Sequence, residues 1–385
     1  MDNTLLENHL SYNPTFVISE TGELDLFKPV LEKLQANGRK FTVLTFGTAE
    51  GIIQKNNYFP GHIQNMKSLG IELLGEKNKY LSEKDLDFLK TSITSKALYS
   101  GVHHKVQRQL LDAWNRIGDH KISVACWDNF EPNGESPYFE EGRKTVELAS
   151  YRLVPSSFVL ENFEGTLNIP ESRTYLGGQP SLKSWKEQIA SVDQAAVRST
   201  LNVSRDRDIY LYMGGYAGEE DYQNGFRFFA DCWKKNNPEN GVLVLTTHPR
   251  SPSGEFEKQV LDSLGVKNYI HTSELSSPQV IAVSSKVFCH KTTACLKTAV
   301  LGLPVAHVVE KTQGQAYSNV AVEAGVVPCL GSSDEFAEFF TQENRRIDEH
   351  QVLEQLGIPE DSLKSYVDFI NTADWLLFWE KTQQS

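Results

Sequence analysis

Two polar stretches in the second half of the sequence carry residue types that bind phosphate. In the first, His248 and Arg250 follow the apolar run "GVLVL" at 241–245. Arginine offers a planar fork of donors for phosphate oxygens and histidine adds a further donor, so the two side chains could converge on one anion. The same loop is also compatible with a surface arginine beside a capping histidine.

The second stretch lies between the apolar run "KVFC" at 286–289 and a short helical pattern. It consists of His290, Lys291, Thr292 and Thr293. The first turn of a helix has free N–H groups and the positive end of the helix dipole, which together bind anions. The stretch therefore predicts a pyrophosphate site, with a threonine N-cap beside a solvated lysine as the alternative.

Glycine and carboxylate residues follow other apolar runs. Gly214 and Gly215 form a turn after the run that begins at 208, where the backbone could approach a ligand closely. In the first half, Glu20 and Gly22 follow "TFVI" and Asp128 follows "ISVAC". A carboxylate at a strand end can act as a general base or bind a sugar hydroxyl, although helix or loop capping would explain the same residues.

Two adjacent histidines, His103 and His104, open a helical pattern. Adjacent side chains on a helix point in different directions, so we expect no two-histidine metal site there. One of the two could contact a substrate, and solvated surface is the alternative.

These loops need a scaffold of alternating strands and helices, and the sequence has that alternation throughout. Strand-like runs occur at 15–20, 40–47 and 122–130, while the stretch 84–101 has a helical pattern. The alternation predicts an α/β fold with mainly parallel sheets, in which ligands bind at the carboxyl ends of the strands.

The pattern restarts near residue 207, which predicts two doubly wound, Rossmann-like domains that face a cleft. We expect an N-terminal domain at 1–178, a linker at 179–206 and a C-terminal domain at 207–385. Whether the last helix crosses back onto the first domain stays open. With 385 residues the chain is too long for one hydrophobic core, which also predicts two domains.

Composition and motifs exclude several classes of protein. A net charge of −12 argues against general nucleic-acid binding, because phosphate neutralisation needs a basic surface. The five cysteines form no CxxC pair, so we expect reduced thiols, no metal site and a cytoplasmic protein. The N-terminal residues lack a signal peptide pattern, and no apolar run is long enough to span a membrane. The sequence also lacks GxGxxG, GxxxxGK[ST], GxSxG and HExxH motifs.

The order of several local motifs resembles the GT-B glycosyltransferase superfamily, with local similarity to the UDP-N-acetylglucosamine 2-epimerase group. The motifs are the glycine turn, "HPR", "KTTACLKTAVLGLPV", "SPYFEEGRKTVELASYRLVPSS", "RTYLGGQP" and "EAGVVPCLGSS". The resemblance implies nucleotide-sugar chemistry, with the donor mainly on the second domain.

Site residues follow from this resemblance by position. It places His248 and Arg250 in a phosphate-binding loop and Thr292 and Thr293 at the helix that holds the diphosphate. It places Glu310 or Glu323 where ribose or sugar hydroxyls bind. The sequence lacks the Gly-Asp-Thr loop of the epimerases, which favours a transferase.

The leading hypothesis is a metal-independent glycosyltransferase that needs no cofactor and uses a nucleoside diphosphate sugar, expected to be UDP-linked. Glu20 or Asp128 would be the base, with His248 as a further catalytic candidate, and the acceptor would be a glycan, a lipid-linked molecule or another hydroxyl compound. One alternative is a sugar-nucleotide epimerase that uses Asp128, Glu140, Glu141 and His248. The other alternative is a non-enzymatic nucleotide- or sugar-binding protein, and the oligomeric state stays open.

Overall fold

The structure is a computed structural model. It describes residues 13–75, 80–93, 95–116, 121–130, 137–167, 169, 171–247, 251–290, 293–309, 320–342 and 348–383. By their contacts, these residues divide into two compact units. Unit 1 contains the described residues of 1–181 and 357–385, and unit 2 contains those of 182–356.

Unit 1 is built on a parallel sheet of seven strands. The strands are β1 Thr15–Ile18, β2 Thr42–Thr45, β3 Ile63–Asn65, β4 Ala97–Ser100, β5 Ile122–Cys126, β6 Tyr151–Val154 and β7 Thr174–Leu176. Their order in the sheet is β3-β2-β1-β4-β5-β6-β7. Each pair is parallel, so all the carboxyl ends lie at one edge.

Helices cover both faces of this sheet. They are α1 Thr21–Ala36, α2 Gly47–Asn56, α3 Glu83–Ser92, α4 Lys105–Arg116, α5 Pro137–Leu148 and α6 Ser157–Leu167, with short 3₁₀ turns at Lys67–Leu69 and Glu171–Arg173. Alternate residues of β1 show the two faces, because Phe16 and Ile18 belong to one apolar core and Val17 belongs to the other.

Unit 2 repeats the architecture with six parallel strands. The strands are β8 Asp208–Met213, β9 Gly241–Thr246, β10 Tyr269–His271, β11 Lys286–Cys289, β12 Val305–Val308 and β13 Cys329–Leu330, in the order β10-β9-β8-β11-β12-β13. The helices from residue 181 to 355 are α7 Ser181–Ala190, α8 Gln194–Thr200, α9 Glu220–Asn236, α10 Glu255–Ser263, α11 Ser277–Ile281, α12 Thr293–Val300, α13 Val320–Glu323, α14 Ser333–Thr341 and α15 Glu349–Gln355.

The final helix, α16 Ser362–Gln383, belongs to unit 1 and packs against α1. Tyr366 and Ile370 of α16 are fully buried in the same core as Phe27 of α1. In the sequence, the last helix of unit 1 therefore follows all of unit 2.

Both sheets have the strand order 3-2-1-4-5-6 of a doubly wound Rossmann-like fold, with a seventh strand added in unit 1. The predicted fold class of two doubly wound parallel domains is therefore confirmed. The strand order reverses between β1 and β4 in unit 1 and between β8 and β11 in unit 2. Ligands of such sheets bind at these switch points.

The prediction of a helix over 84–101 is wrong in its second half. Helix α3 ends at Ser92, and the fully buried residues Ala97–Ser100 form β4. Among the described residues, no helix is long and apolar enough to cross a membrane.

Candidate functional site

The switch point of unit 1 brings together a group of polar side chains that we call the switch-point cluster. Its members are Glu23, His103, Gln107 and Asp128. They come from α1, from the loop after β4, from α4 and from the loop after β5. Parallel strands bring these segments to one edge of the sheet although they are far apart in sequence.

Glu23 lies in the first turn of α1 and is fully buried. Its Oε2 accepts hydrogen bonds from the backbone N–H of Ser19 at 2.7 Å and from the Ser19 hydroxyl at 3.0 Å. The Nε2 of Gln107 lies 2.8 Å from each carboxylate oxygen. Glu23 therefore joins the loop after β1 to helix α4.

Burial has a marked effect on the acidity of Glu23. Loss of water around the carboxylate, and then the negative charge of Asp128, raise the pKa of Glu23 from 4.5 to about 7. The hydrogen bonds from Ser19 and Gln107 stabilise the ionised form and oppose this rise only in part. Glu23 thus exchanges a proton near neutral pH.

His103 and Asp128 form a buried pair. The Nε2 of His103 lies 3.1 Å from the Oδ1 of Asp128, and the two side chains are 0% and 6% exposed. The histidine ring packs edge-on against Trp127, with ring centres 4.8 Å apart. Gln179 donates to the backbone carbonyl of Asp128 at 3.1 Å. The carboxylate is therefore fixed in orientation while a small part of it stays accessible.

Three glycines bring the backbone against this cluster. A Cβ on Gly22 would lie 2.5 Å from the Oδ2 of Asp128, and a Cβ on Gly101 would lie 2.0 Å from the Cδ of Glu23. A Cβ on Gly142 would lie 2.8 Å from the Nδ1 of His103. The geometry gives Gly22 a local role, which is to let α1 begin directly beside Asp128.

Glu20, the other predicted base, is the N-cap residue of α1 and is partly exposed. Its Oε2 accepts a hydrogen bond from the hydroxyl of Thr48 at 3.0 Å. Glu20 and Asp128 thus differ in setting, because only Asp128 is held by a buried histidine.

In unit 2, Gly214 and Gly215 lie directly after β8 as predicted from the sequence, and both pack against Tyr222 of α9. A Cβ on Gly214 would lie 2.9 Å from the Tyr222 hydroxyl oxygen, and one on Gly215 would lie 2.7 Å from the ring. The Tyr222 hydroxyl donates to Oε1 of buried Glu257 at 2.6 Å. Close packing of α9 therefore accounts for the glycine turn, and its contact with a ligand stays a prediction.

His290 lies at the carboxyl end of β11 and is 4% exposed. Its Nδ1 lies 3.2 Å from the carbonyl of Val308, and its Nε2 lies 3.6 Å from a carboxylate oxygen of Asp221. A Cβ on Gly225 would meet the ring at 2.8 Å. The side chain thus packs between β11 and α9.

The remaining predicted residues are only partly covered by the structure. His248, Arg250, Lys291, Thr292 and Glu310 lie outside the described residues, whereas Thr293 begins α12 and Glu323 ends α13. In α5, Glu141 forms an ion pair with Arg108 at 2.6 Å, and Glu140 forms an exposed pair with Lys144.

The sequence analysis identified Asp128, but in the segment after β1 it selected Glu20 and not Glu23. The spacing of Glu20 and Glu23 does form a capping box. The environment that raises the pKa of Glu23 includes Asp128, and Gln107 bonds to its carboxylate; no local sequence pattern connects either residue to Glu23.

No family model matches the sequence, and no curated protein matches it. Solved structures do match. UDP-GlcNAc 2-epimerase from Methanocaldococcus jannaschii has 11% identity and a TM-score of 0.67, over 94% of this chain and 99% of that chain. The enzyme from Neisseria meningitidis bound to UDP-GlcNAc has 14% identity and a TM-score of 0.63, over 97% of this chain and 100% of that chain.

The wall teichoic acid polymerase TagF also matches, with 13% identity and a TM-score of 0.57, over 98% of this chain and 91% of that chain. At such identities the similarity shows the fold. The GT-B type of two Rossmann-like domains, structurally similar to UDP-GlcNAc 2-epimerases, is therefore confirmed, as the local resemblance predicted.

Proposed function

We propose that the protein is a metal-independent glycosyltransferase that moves a sugar from a nucleoside diphosphate sugar to an acceptor hydroxyl. The observation that carries the proposal is the His103–Asp128 pair at the switch point of unit 1. The proposal takes a UDP-linked donor because structures of this fold include a UDP-GlcNAc complex and a UDP complex.

In this reaction Asp128 is the general base. The Nε2–H of His103 donates to Oδ1 and fixes the carboxylate, and Oδ2 accepts the proton of the acceptor hydroxyl. The hydroxyl oxygen forms a bond to the anomeric carbon as the bond from that carbon to the diphosphate breaks. The electron pair leaves with the diphosphate.

The second unit contributes charge stabilisation in this proposal. His248, Arg250, Lys291, Thr292 and Thr293 supply cationic groups, hydroxyls and a helix N-terminus for the departing diphosphate, and these assignments stay predictions. The acceptor class is a glycan, a lipid-linked molecule or another hydroxyl compound. A cytoplasmic location belongs to the same proposal.

A second candidate function is sugar-nucleotide epimerisation. The solved structures similar to this chain include several UDP-GlcNAc 2-epimerases. Such a reaction needs more than one acid or base group, and the switch-point cluster contains two carboxyl groups, of which Glu23 has a pKa of about 7. Epimerisation would proceed without an acceptor, which separates the two candidates.

The first experiment is a thermal-shift screen with UDP, GDP, CMP, TDP and their sugars. A ligand that binds only the folded state raises the melting temperature by mass action. The donor found in this way is then incubated with and without candidate acceptors, and the products are separated. Epimer or free sugar formed at catalytic rates without an acceptor would favour the epimerase. Absence of nucleotide binding would count against both enzyme candidates.

Asp128→Asn tests the base directly. Removal of a general base lowers turnover by about 10²–10⁴-fold, while donor binding should stay unchanged. Asp112→Asn is the matched control, because Asp112 pairs with Arg116 on the surface of α4. Asp128→Asn with unchanged turnover would remove Asp128 from the mechanism.

A further inference from the structure

Two strands of unit 2 place sulfur and nitrogen ligands on one face of the sheet. On β11 and β12, Phe288, Ala306 and Val308 face the aromatic core that contains α9. Side chains alternate along a strand, so Cys289 and His307 point to the opposite face. The two residues are direct partners in the parallel register and are therefore neighbours on that face.

Helix α12 brings a third ligand to the same place. Cys295 lies in its first turns, and α12 packs against both β11 and β12. One ligand atom from each of Cys289, Cys295 and His307 lies within 4.8 Å of the other two, and all three residues are buried. The Sγ of Cys289 is 3.8 Å from the Nδ1 of His307.

The distance between the ligand atoms of Cys289 and His307 fits a zinc ion. Zinc binds thiolate sulfur at about 2.3 Å and imidazole nitrogen at about 2.0 Å, which puts the two ligand atoms about 3.5 Å apart in a tetrahedral site. The distance of 3.8 Å between Cys289 and His307 is within a few tenths of an ångström of that value. The three side chains would supply three ligands of a tetrahedral zinc ion, and a water molecule would be the fourth.

The combined charge of the three ligands favours a divalent ion. Cys289 and Cys295 as thiolates carry two negative charges, and His307 binds as a neutral imidazole. A divalent cation makes the group neutral, whereas a monovalent ion would leave a net charge in a buried site, which is costly. Thiolate and imidazole ligands also favour zinc over magnesium or calcium.

We propose that Cys289, Cys295 and His307 form a zinc-binding site that fastens α12 to β11 and β12. The site uses no residue that is assigned to the proposed transferase reaction. His290, the neighbouring residue at the strand end, points to the opposite face and packs against α9. Binding releases the thiol protons to solvent and involves no change of oxidation state.

The test uses the full chain, reduced and freed of metal with a chelator. After incubation with zinc and removal of unbound ion, we expect one zinc ion per chain by elemental analysis. Cys295→Ser should weaken zinc binding by about 100-fold or more, since a ligand is lost. Cys232→Ser is the matched control, because Cys232 is equally buried but lies in α9 on the other side of the sheet.

A second measurement does not depend on any variant folding. Cobalt replaces zinc in thiolate sites and gives an intense near-ultraviolet thiolate-to-cobalt band, which we expect in the wild-type chain. A wild-type chain that retains no zinc and shows no such band would overturn the proposal. So would Cys232→Ser losing as much metal as Cys295→Ser, or retention of a monovalent copper ion in place of zinc.

Discussion

At the scale of single residues, Glu23 has an unusual environment for a carboxylate, because it is fully buried. It is enclosed by Ser19, Gln107 and the backbone of Gly101. Burial and the charge of Asp128 raise its pKa from 4.5 to about 7. The amide oxygen of Gln107 accepts a hydrogen bond from the backbone N–H of His104 at 3.0 Å, so its NH2 group is held facing the carboxylate of Glu23.

This raised pKa predicts a pH-dependent stability. Between pH 4.5 and about 7, the folded state holds a proton on Glu23 that the unfolded state has released. The free energy of unfolding should therefore fall as the pH rises through this window and level off above it, by about 3 kcal/mol at most. Chemical denaturation at a series of pH values measures this contribution.

Glu23→Gln removes the titrating group while keeping its shape. We expect the pH-dependent loss of stability to shrink in this variant, and the variant should be the more stable protein above pH 7. Glu72→Gln, at an exposed carboxyl, should leave the pH profile unchanged. If Glu23→Gln and the wild type have parallel profiles, Glu23 does not titrate in this window.

Gly101 provides a steric test of the same cluster. A Cβ at this position would lie 2.0 Å from the Cδ of Glu23, so Gly101→Ala must displace the buried carboxylate. We expect it to destabilise the protein by about 1–3 kcal/mol or more. Thermal or chemical unfolding measures the change.

The matched control for this substitution is Gly165→Ala. Gly165 lies in helix α6, and apart from the backbone of that helix and its two chain neighbours, no described heavy atom lies within 4 Å of the position of its Cβ. Alanine should stabilise that helix by about 0.5–1 kcal/mol. Equal effects of the two substitutions would show that Gly101 has no special packing role.

At the scale of secondary structure elements, α16 depends on a few buried side chains. Tyr366 is fully buried, and a Cβ on Gly177 would lie 2.6 Å from its ring. Tyr366→Ala should cost about 3–5 kcal/mol, because it leaves a cavity between α16 and the sheet. Equilibrium unfolding of unit 1 measures the loss.

Removal of the Tyr366 hydroxyl group alone should have the opposite effect on stability. Within the described residues this buried hydroxyl has no hydrogen-bond partner. Removal of an unsatisfied polar group is favourable, so Tyr366→Phe should stabilise the protein by about 1 kcal/mol. A clear loss of stability in Tyr366→Phe would reveal a partner for the hydroxyl.

Elements with a strong local signal were predictable from the sequence. The runs at 15–20 and 122–130 correspond to β1 and β5, although the predicted strands extend past Ile18 and Cys126, where the strands end. The four residues of β4 were read as helix because they follow the helical pattern of α3. A short, fully buried strand has no polar alternation to distinguish it.

The candidate site was predictable only where a strand end marks it. Asp128 follows the apolar run of β5 directly, so its place at the sheet edge could be inferred. The raised pKa of Glu23 depends on Gln107 and Asp128, which come from other elements. Likewise, Cys295 and His307 have no spacing typical of a zinc motif, because a helix and a strand bring them together.

At the scale of the whole molecule, the path of the chain makes unit 1 discontinuous. Its sheet ends with β7, the chain then forms unit 2, and residues from Gly357 onward return to unit 1. The first returning residue is already bonded to unit 1, because the carbonyl of Gly357 accepts a hydrogen bond from the backbone N–H of Ser157 at 3.0 Å. Helix α16 then covers α1 and buries Tyr366 and Ile370.

This path predicts that removal of the last segment affects the two units unequally. A chain that ends at Leu356 exposes the apolar face of α1, and each large buried side chain lost from α16 is worth roughly 1.5–3 kcal/mol. Unit 2 keeps its sheet and its aromatic core, to which no described side chain of α16 belongs. We therefore expect hydrogen exchange to speed up in β1 and α1 while β8 and β9 stay protected.

A full-length chain with Lys364→Ala is the control, because Lys364 pairs with Asp368 on the exposed side of α16 and its loss should leave exchange unchanged. Faster exchange in β8 and β9 to the same extent as in β1 would mean that the two units unfold together. Unchanged exchange in α1 would mean that α16 adds nothing to unit 1. Exchange confined to unit 1 would establish that its core is complete only when the chain has returned from unit 2.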